Sequence, residues 1–136
     1  MRLLVDSNVF LEILLRQDKA DEAMALLASV ERNEFFISDF AVHSIGLILC
    51  YKKRHDDFKR FLQDLVLDVG VVEVGIPAEE VQPVADIAVR FGLDFDDAYQ
   101  YAIAQEYDLT LVSFDGDLDR TERGRRTPAQ ALESAG

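Results

Sequence analysis

A chain of 136 residues, 49% of them hydrophobic, is long enough to bury one sizeable core; seven glycines and three prolines rule out a fibrous or disordered composition. Its formal charge of −12 argues against non-specific adhesion to nucleic acid or anionic lipid. A bound metal inverts the local sign, however, so a phosphodiester substrate stays open. No run reaches membrane-spanning length, and MRLLVDSN carries a charge too early for a signal-peptide core. The single Cys50 reads as a small core residue of a reducing compartment. A soluble, cytoplasmic protein without membrane contact is expected.

Arg2 to Val5 is a buried-strand candidate, after which Asn8 is placed to cap a helix over Val9 to Leu15. A polar break, Arg16 to Lys19, leads to a second helix reaching about Arg32, with Ala20, Ala23, Met24, Leu27 and Val30 as its apolar stripe. Phe35 to Ile37 is short and β-prone, a strand. Ser38 or Asp39 caps the next helix, Phe40 to about Lys53, in which Gly46 points to close packing. Beyond the basic break Lys52-Lys53-Arg54, Phe58, Phe61, Leu62 and Leu65 share one side of another helix. Val71 to Val74 is a third strand. Pro77 suits the first turn of a helix striped by Val81, Val84, Ala85 and Ala88, which Gly92 stops near Phe91. Phe95 to Tyr107 is a helix, Leu109 to Val112 a strand, and Pro128 opens a final helix, PAQALES.

Short apolar strands alternating with helices imply an α/β fold, a three-layer α/β/α sandwich with a central parallel sheet covered on both faces. Ligands of such folds bind beyond the carboxyl ends of the strands, where strand order reverses. Asp6 follows the first strand directly, and LTLVSFDGDLD carries Asp115, Asp117 and Asp119 out of the last. Helical spacing groups Asp97 with Tyr101 and Ala104 on an apolar side, whereas Asp96 lines up with Gln100 and faces water. Each acid has an ordinary account: helix-start carboxylates favour the macrodipole, Asp-Ser-Asn makes a cap, and Asp-Gly-Asp makes a turn with glycine at a strained position. Converging in one cleft, they need a counter-charge, and hard oxygen ligands select Mg²⁺ or Mn²⁺ over zinc. The sequence offers no Cys/His zinc spacing, no glycine-rich phosphate loop and no nucleophile elbow.

LLVDSNVFLEIL, FDDAYQYAIAQEYDLTLVSFDGDL and the closing TPAQALE resemble a PIN domain, the fold of VapC-type toxin ribonucleases. The resemblance spans nearly the whole of residues 1–136, a single PIN-like domain. It implies that Asp6, Asp97 and Asp115 occupy the family's first, third and fourth acidic positions as catalytic metal ligands. Asn8 would be their polar partner and Asp117 an auxiliary ligand. The family's usual glutamate in the helix after the second strand is replaced here, by position, with Ser44. Its face, shared with Phe40, Ala41, Leu47 and Ile48, should point inward. A serine hydroxyl is a neutral, weaker ligand that could still hold a metal-bound water; it removes one negative charge and should weaken metal binding. Glu12 is a candidate to compensate, but its plainer role is a surface pair with Arg16; Asp39, Asp96 and His43 are weaker substitutes.

The implied activity is hydrolysis of RNA phosphodiesters assisted by Mg²⁺ or Mn²⁺, leaving 5′-phosphate and 3′-hydroxyl ends, with no covalent nucleophile on the protein. Asp117 or Ser113 would orient the ligands from behind. Lys52, Lys53, Arg54 and Arg60, or Arg120, Arg123, Arg125 and Arg126, either follow a phosphate backbone or are solvated charge. Tyr51, Tyr99 and Tyr101 either stack bases or fill the core. The resemblance also implies an antitoxin protein as partner and a homodimer, for which the apolar hairpin from Phe35 to Leu65 is a surface. The competing reading is a degenerate PIN domain, with Ser44 in place of the acid, that binds RNA or protein without cutting. A haloacid-dehalogenase-like phosphatase ranks below both, since Asn8 stands where it needs a second aspartate.

Overall fold

The structure, a computed structural model, describes residues 1–135. Four strands form one sheet: β1 (Arg2–Val5), β2 (Glu34–Ser38), β3 (Val72–Val74) and β4 (Thr110–Val112), all parallel, in the order β3-β2-β1-β4. The chain steps outward from β1 to β3, then returns to the other side of β1 for β4. Strand order therefore reverses between β1 and β4, and a crevice opens at their carboxyl ends.

Side chains alternate across the sheet with the two-residue period of a strand. Leu3, Val5, Phe35, Ile37 and Val112 pack beneath α1 (Ser7–Leu14), α2 (Ala20–Leu27), α3 (Asp39–Tyr51), α4 (His55–Phe61) and the carboxyl-terminal helix, α7 (Pro128–Ala135). Leu4, Phe36 and Leu111 pack on the opposite side, against α5 (Gln82–Phe91) and α6 (Phe95–Tyr107). These are the three layers expected. Burial of both faces explains why the strands read as continuous apolar runs.

Local signals place most helix ends. Ser38 caps α3 by accepting from the Ala41 amide at 2.9 Å, and Gly92 ends α5 in the left-handed region, at φ 63°. Gly46 is needed for contact: a Cβ there would stand 3.0 Å from the Phe58 ring. α4 runs on as a π-helical stretch, Leu62–Asp68.

Several expectations are corrected. α1 starts at Ser7, and its cap is Asp6, not Asn8. α2 ends at Leu27, short of Arg32; Met24 and Val30 are exposed, and Leu26 is buried instead. Pro77 precedes a short 3₁₀ turn, Ala78–Glu80, before α5 begins. On α5, Ala85 is exposed and Ile87 packs inward in its place. On α3 the inward row is Ala41, Ile45 and Leu49, leaving Leu47 exposed and Ser44 half-buried at the margin.

Candidate metal centre

The β1–β4 ladder reaches the first acid itself: the Asp6 amide donates to the Val112 carbonyl at 2.9 Å. Asp6 is thus held where β1 ends. Its carboxylate is surrounded by donors. The Ser7 amide donates to Oδ1 at 2.7 Å, the Gln100 amide nitrogen to Oδ1 at 3.1 Å, and the Ser113 hydroxyl to Oδ2 at 2.8 Å. Asn8 Nδ2 faces both Asp6 Oδ2, at 3.4 Å, and Ser113 Oγ, at 3.0 Å, while Asn8 Oδ1 accepts from the Phe114 amide at 3.1 Å. Asn8 therefore ties the loop after β1 to the loop after β4.

From the first turn of α6, Asp97 enters the same crevice, only 7% exposed. Beyond β4, the Asp115 amide donates to Ser113 Oγ at 2.9 Å, and Asp115 Oδ1 accepts from the Asp117 amide at 2.9 Å. One carboxylate oxygen each from Asp97, Asp115 and Asp117 lies within 4.8 Å of the others. Asp6 is outside that trio but close enough for its charge to be felt by Asp97. Asp96 is exposed, as its helix position implied.

The electrostatics distinguish the acids. Burial pushes the Asp6 carboxyl up, and its hydrogen bonds from Ser113, Gln100 and Ser7 oppose the rise. Asp97 has no such relief: burial first, then the Asp115 carboxylate beside it, then the charges of Asp6 and Asp94 push it up to about 7. Among the described residues no cation pairs with Asp6, Asp97 or Asp115, and the packed carboxylates could hold a hard cation. The donors fit one, being oxygens alone with no His or Cys among them.

The outer acids are braced by arginines. Arg120 donates to Asp117 Oδ1 at 3.1 Å and to the Gly92 carbonyl at 2.7 Å. Arg125, its side chain 15% exposed, donates to the Ser113 carbonyl and to Asp119 Oδ1, both at 3.1 Å. It also lies beneath Gly116, where a Cβ would be 3.5 Å from the guanidinium. Gly116 is not in the left-handed region, contrary to the strained turn expected, and a Cβ at that distance is an ordinary contact, so nothing in the structure requires glycine there. Arg123 is bound to Asp108 and to the Leu109 carbonyl. The basic tail is therefore mainly a set of loop braces.

Other candidates, including Ser44, make no hydrogen bond to the four acids among the described residues. Glu12 accepts from the Lys19 amide at 3.0 Å rather than pairing with Arg16. Asp39 accepts from the Tyr99 hydroxyl at 2.9 Å, and His43 is exposed. Tyr99 and Tyr101 are buried, while Tyr51 is 88% exposed. Two residues of the centre escaped the sequence reading. Gln100, expected on the wet side with Asp96, is 2% exposed and holds Asp6. Arg125 was read only as part of a basic patch.

A family model described as PIN domain matches residues 3–124. The chain belongs to the PIN domain family. Solved structures share its fold. PAE2754 from Pyrobaculum aerophilum is 21% identical, with TM-score 0.70 over 99% of this chain and 95% of that one. FitAcB from Neisseria gonorrhoeae is 21% identical, with TM-score 0.67 over 93% and 97%. VapC20 from Mycobacterium tuberculosis, a sarcin-ricin loop cleaving toxin, is 19% identical, with TM-score 0.71 over 85% and 91%. No curated protein is significantly similar to the chain in sequence. Among the described residues of this PIN domain, no helix is long and apolar enough to cross a membrane.

Proposed function

We propose that this PIN domain is a metal-dependent endoribonuclease, the toxin of a toxin–antitoxin pair. The observation that carries the reading is the convergence of Asp97, Asp115 and Asp117, with Asp6 behind them, at the point where strand order reverses. Asp97, Asp115 and Asp117 would hold Mg²⁺ or Mn²⁺, with Asp6 completing the negative field. The ion would supply Lewis-acid activation of water and neutralise charge on the scissile phosphate. The protein's own work is positioning: Ser113 and Asn8 fix Asp6, and Asp115 fixes the turn that presents Asp117. The carboxylates also repel a free polyanion, so binding of RNA and cation is coupled.

Lys19 offers the substrate a positive contact. Its ammonium lies 5.0 Å from the centre of the Phe114 ring, one residue before Asp115, and makes no ion pair among the described residues. The partner reading rests on FitAcB and on VapBC2 from Rickettsia felis, the latter solved bound to a DNA fragment from their promoter (12% identity, TM-score 0.75, 93% of this chain and 97% of that one). An antitoxin with a basic side chain would suit the acidic crevice. Exposed Leu47 and Tyr51 on α3 give a homodimer an apolar surface. The unpaired Cys50 fits a cytoplasmic protein.

Ser44 favours a second reading, a degenerate PIN domain that binds RNA or protein without cutting. Incubating RNA with the protein and Mn²⁺ or Mg²⁺ decides between them. Cleavage lost in Asp97→Asn and Asp6→Asn supports the nuclease, and cleavage that survives both ends that reading. Silence of the native chain with activity in Ser44→Glu would establish the degenerate site.

A further inference from the structure

We propose that Gln100 is a positioning residue of the metal centre, whose amide holds Asp6 while its carbonyl oxygen accepts a hydrogen bond from the hydration shell of the bound cation. The inference rests on the metal-dependent reading above and adds a residue to it.

Gln100 lies three residues after Asp97, on the adjoining side of α6, and is 2% exposed. Its nitrogen donates to Asp6 Oδ1 at 3.1 Å. That contact fixes which way the amide faces, because the reverse orientation would set oxygen against a carboxylate. The remaining atom, Oε1, is buried with no hydrogen-bond partner among the described residues. A buried amide oxygen requires a donor.

The donors that surround Asp6 are already engaged. The Ser7 amide and Ser113 hydroxyl are directed at Asp6, Asn8 Nδ2 at Ser113 and Asp6, and the Phe114 and Asp115 amides at Asn8 and Ser113. The ionised carboxylates nearby only accept. A hydrated divalent cation would bring polarised water protons into the crevice, the kind of donor that Oε1 lacks. The side chain therefore reads as a neutral counterpart to the absent glutamate: it adds an acceptor for the ion's water without adding charge.

The test is titration of Mn²⁺ into the metal-free full chain by calorimetry, with thermal melts in chelator as a check on folding. Gln100→Leu should weaken Mn²⁺ binding about tenfold, the scale expected for an outer residue of a metal site. Gln100→Met keeps the volume of the side chain but neither polar atom, and should weaken Mn²⁺ binding as much as Gln100→Leu. A role confined to packing would leave the methionine variant near native affinity. Native-strength binding by Gln100→Leu, alongside loss in Asp97→Asn, overturns the Gln100 inference and leaves the metal centre standing. Near-native binding by Gln100→Met also overturns it. No Mn²⁺ binding by the native chain removes the metal reading and this inference together.

Discussion

Replacing Asp97 by asparagine should stabilise the metal-free protein above neutral pH. Asparagine keeps the shape of the side chain and removes the charge, and burial and the neighbouring carboxylates all disfavour that charge. A carboxyl raised from 3.8 to about 7 on folding favours the folded state fully below pH 3.8, and the benefit is lost as pH rises through 7. The shift corresponds to about 4 kcal/mol at 1.36 kcal/mol per unit, as an upper bound. Solvent screening at the open side of the crevice reduces this to about 1–2 kcal/mol. For a domain of this length that is roughly 3–7 °C in Tm.

Thermal melts of the native chain and Asp97→Asn in chelator, from pH 4 to 8.5, measure the effect. The two should nearly coincide near pH 4, and the variant should lead increasingly toward pH 8. Their difference cancels carboxylates elsewhere, such as Asp57, which Arg54 holds low. Saturating Mn²⁺ should reverse the order, stabilising the native chain by about 2.7 kcal/mol at a hundred times Kd and the variant little. A variant less stable at pH 8 by an amount independent of pH would refute the reasoning, because Asp97 would then carry no unrelieved charge.

Arg125→Ala should cost about 1.5–3 kcal/mol in urea unfolding and weaken Mn²⁺ binding, since the loop bearing Asp115 and Asp117 loses its brace; restoration by lysine, which lacks the fork, would contradict this. Gly46→Val should cost about 1–3 kcal/mol because the Phe58 ring already sits at contact distance, and an unchanged urea midpoint would contradict it. Lys19→Ala should raise KM for RNA about threefold to tenfold with kcat preserved, and an equal fall in kcat would show that it acts on chemistry instead. Calorimetry should find one Mn²⁺ per native chain and two per Ser44→Glu chain, whereas equal stoichiometry would mean that residue 44 lies outside the centre.

What the sequence disclosed depended on whether a residue's surroundings are local. Ser38 and Gly92 mark helix ends through chemistry confined to a few residues, so α3 starts and α5 stops as expected. The strands were legible because burial on both sides leaves uninterrupted apolar runs. Gln100 was misplaced for a physical reason: Asp97 through Ala104 are all buried, so the middle of α6 has no wet face from which to take a bearing. Asp6 is at once a helix cap and part of the acidic crevice, two roles that one residue type satisfies and that spacing cannot separate. The arginines announce charge in the sequence, but their partners come from distant segments: Arg90 meets Glu122, and Arg123 meets Asp108.

The charge count also says what kind of occupant the crevice accommodates. Of Asp6, Asp97, Asp115 and Asp117, only Asp117 has an arginine, Arg120, in ion-pair contact. Neutral donors spread the charge of Asp6 without cancelling it. When ionised, the three inner acids therefore carry three negative charges. One divalent cation lowers that excess to a single negative charge, while a second would reverse its sign. A glutamate at position 44 would raise the need to four, which two ions balance. If position 44 faces the crevice, serine there would move the electrostatic optimum from two ions toward one, and the neutral oxygen of Gln100 would leave that optimum unchanged. An antitoxin arginine would draw on the same excess, so cation and partner oppose one another, each weakening the other's binding by the same factor.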